Sequence, residues 1–192
     1  MSPTKEPEPE GSSRREMLVR IGSAFLAITV DSAWGPLSPG EARARAVPFR
    51  HFTPAQAREL EAFADTLLPG AAQAGVAHFI DDQLGRAESL LFLRYMDYGG
   101  ALLDFYRQGL QSLERECRSR FGQAFSGLAG ERQALLVREI SAANPAGWAG
   151  PPAPLFYFVL RNDAADVCYG TPGGFAKLGI PYQAMNPPST RW

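Results

Sequence analysis

From residue 52 onward, apolar positions recur three and four apart, the period of one helix face, and no stretch alternates at period two for long. The segment "FTPAQARELEAFADTLLPG" places Leu60, Phe63 and Leu67 at helical spacing. Thr53 is the expected N-cap, and Pro54 falls at the first helical position, where a missing N–H costs nothing. Pro69-Gly70 stops it. A second helix is expected in "AAQAGVAHFIDDQLG", with Val76, Phe79, Ile80 and Leu84 on one face. The third is the longest: from Leu102, the positions Tyr106, Leu110, Leu113, Cys117 and Phe121 form a continuous apolar stripe. Gly99 and Gly100 are expected to mark a kink, or a close crossing by another element, in its earlier half. A fourth helix, "AGERQALLVREISAA", ends at Asn144-Pro145, and a fifth, "APLFYFVLRNDAADVC", at Tyr169-Gly170. The pattern predicts an all-α fold: a small helical bundle with an extended C-terminal tail.

Both flanks break the helical pattern. The last residues, "YGTPGGFAKLGIPYQAMNPPSTRW", concentrate Gly, Pro and aromatic side chains with almost no helical period. A tail of this kind wraps its own domain or lies on a partner. Its aromatic and arginine content (Tyr169, Phe175, Tyr182, Arg191, Trp192) matches interface anchors. At the other end "MSPTKEPEPEG" has the composition of a disordered segment. "SRREML" and the apolar "IGSAFLAITV" follow, the latter too short to span about 30 Å of hydrocarbon. The order of Ser13, Arg14, Arg15 and Leu18 resembles the twin-arginine export consensus, with Met17 where Phe is usual. The alternative is an N-terminal helix with a chance Arg-Arg pair. Ala44-Arg45-Ala46 has the small-x-small form of a cleavage site, and Ser32-Ala33-Trp34 is a poorer candidate. The expected organisation is a disordered and signal region over 1–46, then a helical domain over 47–192 whose docking tail is 169–192.

Charge and composition narrow the function classes. With 192 residues and 45% hydrophobic content, the chain suits one globular domain. A net charge of -1 argues against nucleic-acid binding, which needs a basic excess to neutralise phosphates. No G-x-G-x-x-G follows a strand pattern, so no dinucleotide fold is expected; the clustered glycines of "YGTPGGF" lack that context. No C-x-x-C-H attaches a haem, and two cysteines alone do not hold an iron–sulfur cluster. His51 and His78 read as surface or locally hydrogen-bonded residues rather than metal ligands or catalysts. Adjacent Asp81 and Asp82 diverge on a helix and read as a solvated face. Asp163 and Asp166 share a face and read as a helix-end or partner contact. No catalytic, cofactor-binding or metal-binding residues are therefore assigned.

Two motifs, "FTPAQARELEAFADTLLPG…AGVAHFIDDQL" and "YGTPGGFAKLGIPYQAMNPPSTRW", resemble the gluconate 2-dehydrogenase subunit 3 family. They bracket most of the chain after the signal, while residues 86–150 contribute little. The resemblance implies a small, non-catalytic, gamma-type subunit of a membrane-associated, flavin-dependent sugar or polyol dehydrogenase. The large partner would resemble glucose-methanol-choline oxidoreductases, carry the FAD and often lack an export signal. A flavoprotein must fold around its cofactor before export. A docked small subunit could therefore carry it through the twin-arginine translocase to the periplasm, in a complex that can also include a cytochrome c. Cys117, in the apolar stripe, reads as a buried core thiol. For Cys168 three outcomes are open: a bridge to Cys117, a free thiol, or a bridge to the large subunit. Two other functions stay open, a periplasmic binding or scaffold protein for another partner and an independent enzyme with an unrecognised site. A neighbouring reading frame for a signal-less flavoprotein would separate the first reading from both.

Overall fold

The computed structural model describes residues 28–29 and 36–181. Among these are eight α-helices: α1 (Pro39–Ala44), α2 (Pro54–Leu67), α3 (Ala71–Ala74), α4 (Val76–Leu84), α5 (Leu102–Phe121), α6 (Gly130–Ala142), α7 (Ala153–Tyr169) and α8 (Pro172–Lys177). Short 3-10 turns lie at Phe92–Tyr95 and Phe125–Gly127. A minimal antiparallel ladder pairs Ile28–Thr29 with Pro36–Leu37. The fold is all-α, a small bundle, as the apolar spacing predicts.

Local chemistry explains the helix starts. Thr53 caps α2 through a capping box: its hydroxyl accepts from the Gln56 N–H at 3.2 Å, and Gln56 Oε1 accepts from the Thr53 N–H at 2.9 Å. Ser38 and Glu41 make the same reciprocal pair at α1. This first helix has no counterpart in the sequence reading, because six residues are too few to display a period.

Two glycines set the packing here. The single helix expected over residues 71–85 is two, broken at Gly75 with φ 87°. A Cβ there would lie 2.1 Å from the Pro39 carbonyl oxygen, so α1 can seat on the α3–α4 junction only over glycine. Gly99 and Gly100 do not kink the longest helix, since α5 begins at Leu102 and both precede it. The close crossing is at Gly109 instead. A Cβ there would stand 2.3 Å from the Phe156 ring of α7.

Phe156 is the hub of the core, with Phe63 at 5.5 Å, Trp148 at 5.8 Å and Phe105 at 6.0 Å between ring centroids. Leu60, Ile80, Leu113, Leu136 and Leu160 close around this cluster, all fully buried. Helix α7 touches every helix from α2 to α6, so it is the axis of the bundle.

Inside that axis lies a carboxylate. Asp163 is 0% exposed, which corrects its expected place at a helix end or partner contact. Its Oδ2 accepts from the Tyr106 hydroxyl at 2.6 Å and its Oδ1 from the Phe92 N–H at 2.9 Å. Burial pushes its pKa up to about 7, against the lowering effect of both donors. The Tyr106 phenol is driven well above its ordinary value, by burial first and then by the Asp163 charge.

The sign of the pH effect follows. The unfolded chain releases this proton near pH 4, whereas the folded protein keeps it to about pH 7. The folded state therefore holds more protons in this window, and the contribution present below pH 4 is lost as pH rises to 7. Asp163→Asn keeps an acceptor and a donor but cannot titrate. The wild-type stability advantage over this variant should fall by a few kcal/mol between pH 4.5 and 7.5 in urea titrations. A constant difference would contradict the buried titrating carboxyl.

Candidate partner-binding surface

Tyr169 is the last residue of α7, and the chain turns immediately into α8. Thr171 caps this short helix, its hydroxyl accepting from the Gly174 N–H at 3.0 Å, with Pro172 in the first turn. The start of the tail is thus helical, a correction to the expectation of almost no helical pattern. Six residues show no period, and the Thr-Pro start was the available signal. Gly174 is the seat. A Cβ there would lie 2.4 Å from the Cys168 carbonyl oxygen and 2.5 Å from the Tyr169 Cα, so α8 lies directly on the end of α7.

The structure brings three of the proposed interface residues together: Cys168, Tyr169 and Phe175 are half-buried around this junction. Leu178 and Ile180 follow, each 50% exposed. Tyr182, Arg191 and Trp192 lie outside the described residues, as do Ser13, Arg14, Arg15 and Leu18 of the export signal and the Ser32-Ala33-Trp34 alternative.

Both thiols are free. Cys117 is fully buried, and burial, with Glu59 and Glu116 beside it, raises its pKa to about 12. That makes it an inert core thiol. Burial also raises Cys168, with Lys177 pulling the other way.

The buried acids serve the loops. Asp81 and Asp82 are not a solvated face; they are 4% and 7% exposed. Asp81 accepts from three successive backbone amides, Arg50 at 2.7 Å, His51 at 2.8 Å and Phe52 at 2.9 Å. Asp82 pairs with Arg86 at 2.6 Å. His78 is buried rather than on the surface, and it is locally bonded: its Nε2 meets the Val47 carbonyl at 3.0 Å. Its Nδ1 has no partner among the described residues, and burial lowers its pKa. The Phe49 ring packs on it at 4.3 Å. Between α1 and α2 this histidine joins a cleft of about 540 Å³ lined by Arg43, Val47, Phe49, Arg58 and Glu61, which sequence reading missed. His51 is half-buried, its carbonyl accepting from Arg107. Among the described residues no group of three or more His, Cys, Asp or Glu could hold a metal ion. No described helix is long and apolar enough to cross a membrane.

The Ala44-Arg45-Ala46 cleavage candidate lies in a folded turn. The Ala46 N–H donates to the Arg43 carbonyl and the Val47 N–H to the Ala42 carbonyl, both at 3.0 Å, with Ala46 at φ 51°.

The α8 seat is testable on the folded chain. Gly174→Ala should lift α8 from α7, so that trypsin cuts after Lys177 several-fold faster while the helical circular dichroism of the bundle is unchanged. An unchanged cleavage rate would show that the junction accepts a methyl group.

No curated protein and no solved structure was found to match the chain. The family model described as gluconate 2-dehydrogenase subunit 3 matches residues 54–188. That match runs from the first residue of α2 past the end of α8, and the chain belongs to the gluconate 2-dehydrogenase subunit 3 family.

Proposed function

We propose that this chain is the non-catalytic small subunit of a periplasmic, flavin-dependent sugar dehydrogenase of glucose-methanol-choline type. In this reading it escorts the large subunit through twin-arginine export and stabilises it. Membership in a family of dehydrogenase subunits carries the proposal: the chain is a subunit of a dehydrogenase complex. The division of labour is supported by the commitment of its buried acids, since Asp81 and Asp163 are each bonded to loop amides. The FAD resides in the partner, and membrane association comes through the complex, which can include a cytochrome c. In this reading the segment 169–192 supplies part of the contact, with Tyr169 and Phe175 at its root, and Cys168 is a candidate for a bridge to the partner.

Export in the folded state adds a constraint on processing. Proteases cut readily where the chain is exposed and unstructured. Helix α1 is folded, capped by Ser38 and tied to α2 by an ion pair of 3.0 Å from Arg43 to Glu61. A chain exported folded is therefore processed before Ser38, leaving α1 in place.

Replacing Arg14 and Arg15 by Lys should hold both this chain and its partner in the cytoplasm, because the pathway reads the paired guanidinium groups. Fractionation of cells co-expressing the two subunits checks it. In the same experiment the tagged small subunit, purified alone, should carry no flavin or haem absorbance. Partner reaching the periplasm with the twin-lysine chain would end the escort reading, and a stoichiometric chromophore on this chain would end the non-catalytic one. N-terminal sequencing of the exported protein should give a start before Ser38. A start at Val47 would mean that α1 is dispensable to the mature subunit.

A further inference from the structure

We propose that the outer side of α7, together with the first 3-10 turn, docks the dehydrogenase subunit, and that the partner meets it with an apolar socket bordered by a carboxylate. This rests on the reading of the chain as an accessory subunit.

Helix α7 is apolar on two sides. Phe156, Val159, Leu160, Ala164 and Val167 point into the core. A second series, Leu155, Phe158, Asn162, Ala165 and Tyr169, follows the same three-four spacing on the other side, with Leu155 at its edge half-buried against the core. None of the five is fully buried. A helix apolar all round is normally enclosed. Among the described residues the second side of this helix is covered only in part, by the 3-10 turn. Asn162 does not interrupt the second series with a free amide, because its Nδ2 donates to the Phe158 carbonyl at 2.7 Å.

The 3-10 turn extends this face. Side chains three apart eclipse on such a turn, so Phe92 and Tyr95 project together. The Phe92 ring meets Phe158 edge-on at 5.4 Å, and Tyr95 is 71% exposed. The Phe92 N–H is held by Asp163, so the turn is fixed on α7 before any partner arrives. That lowers the ordering cost of association.

Charge identifies the partner's chemistry. The Arg161 guanidinium lies 5.7 Å from the Phe158 ring and 5.8 Å from the Tyr157 ring. Neither Arg161 nor Arg94, both exposed, has an ion pair among the described residues. A rigid aromatic group bordered by the Arg161 guanidinium, which has no ion pair among the described residues, fits a surface that supplies a carboxylate beside an apolar depression. The face also runs to Tyr169, at the root of the tail, so the two contacts form one continuous interface with the large subunit.

The test measures binding of the purified full chain to the dehydrogenase subunit encoded with it, at low and high salt. Tyr95→Ala and Arg161→Glu should each weaken binding by about thirty-fold or more, with melting temperatures unchanged. Arg161→Glu should also flatten the salt dependence. Arg118→Glu, an equivalent charge reversal on α5, should bind within twofold of wild type. If wild type binds and both variants match it, the face is not the interface and the subunit reading stands. If wild type does not bind the dehydrogenase, the subunit reading fails and this proposal with it. Self-association abolished by Tyr95→Ala, with dehydrogenase affinity unchanged, would assign the face to a second copy and overturn the proposal.

Discussion

A carboxylate with no contact with solvent must find donors inside the protein, and Asp163 finds them on two other elements. Tyr106 comes from α5 and the Phe92 amide from the 3-10 turn, far from it in sequence. Removing the acceptor would leave a phenol and an amide buried without partners, at about 1–3 kcal/mol each. Three elements therefore hold one relative position or lose that energy together. The placement of Phe92 against Phe158, and with it the aromatic outer face of α7, depends on the same bond.

The arrangement at Asp163 is one case of a wider constraint. A helical bundle has no sheet ladder to absorb the amides of its connections, and each buried N–H still needs an acceptor. Asp81 takes the three amides of the segment entering α2. Gln83 takes the Leu90 amide at 2.7 Å, and Asn144 the Ala153 amide at 2.7 Å. Asp65 takes Gly70 at 2.9 Å and Ala72 at 3.2 Å. Glu59 holds Ser126 in the second 3-10 turn. These polar side chains are thus spread over the connections of the bundle rather than gathered into one cluster.

The helices were legible because periodic burial leaves a periodic trace. Thr53, Leu60, Phe63, Tyr106, Leu113 and Cys117 occupy the roles their spacing assigns. The buried acids were not, because an aspartate reads as solvated unless its loop partner is known, and that partner is a property of the tertiary fold. A signal did exist: Asp163 falls within the apolar series Phe156, Leu160, Asp163 and Val167, and Asp81 within Ala77, Ile80, Asp81 and Leu84. An acid inside an apolar stripe is an acid with donors waiting. Gly109 is inconspicuous in the sequence for a similar reason. The pair Gly99-Gly100 stands out in the sequence, whereas a lone glycine in mid-helix discloses its role only when Phe156 lies across it.

The glycines at 75, 109 and 174 divide the work of the fold. Gly109 lets α5 and α7 approach until Phe156 can fill the space between them. Gly75 fastens α1 to the α3–α4 junction, and Gly174 fastens α8 to the end of α7. The two flanks of the bundle are thus the short helices α1 and α8, each of six residues. Helices this short are marginal alone and owe their order to what they rest on. Order in these two flanks is accordingly borrowed from α4 and α7, and those two helices are held by Asp81 and Asp163. The physical path from a buried carboxylate to a presented surface is therefore short, one hydrogen bond and one ring contact in the case of Asp163, Phe92 and Phe158.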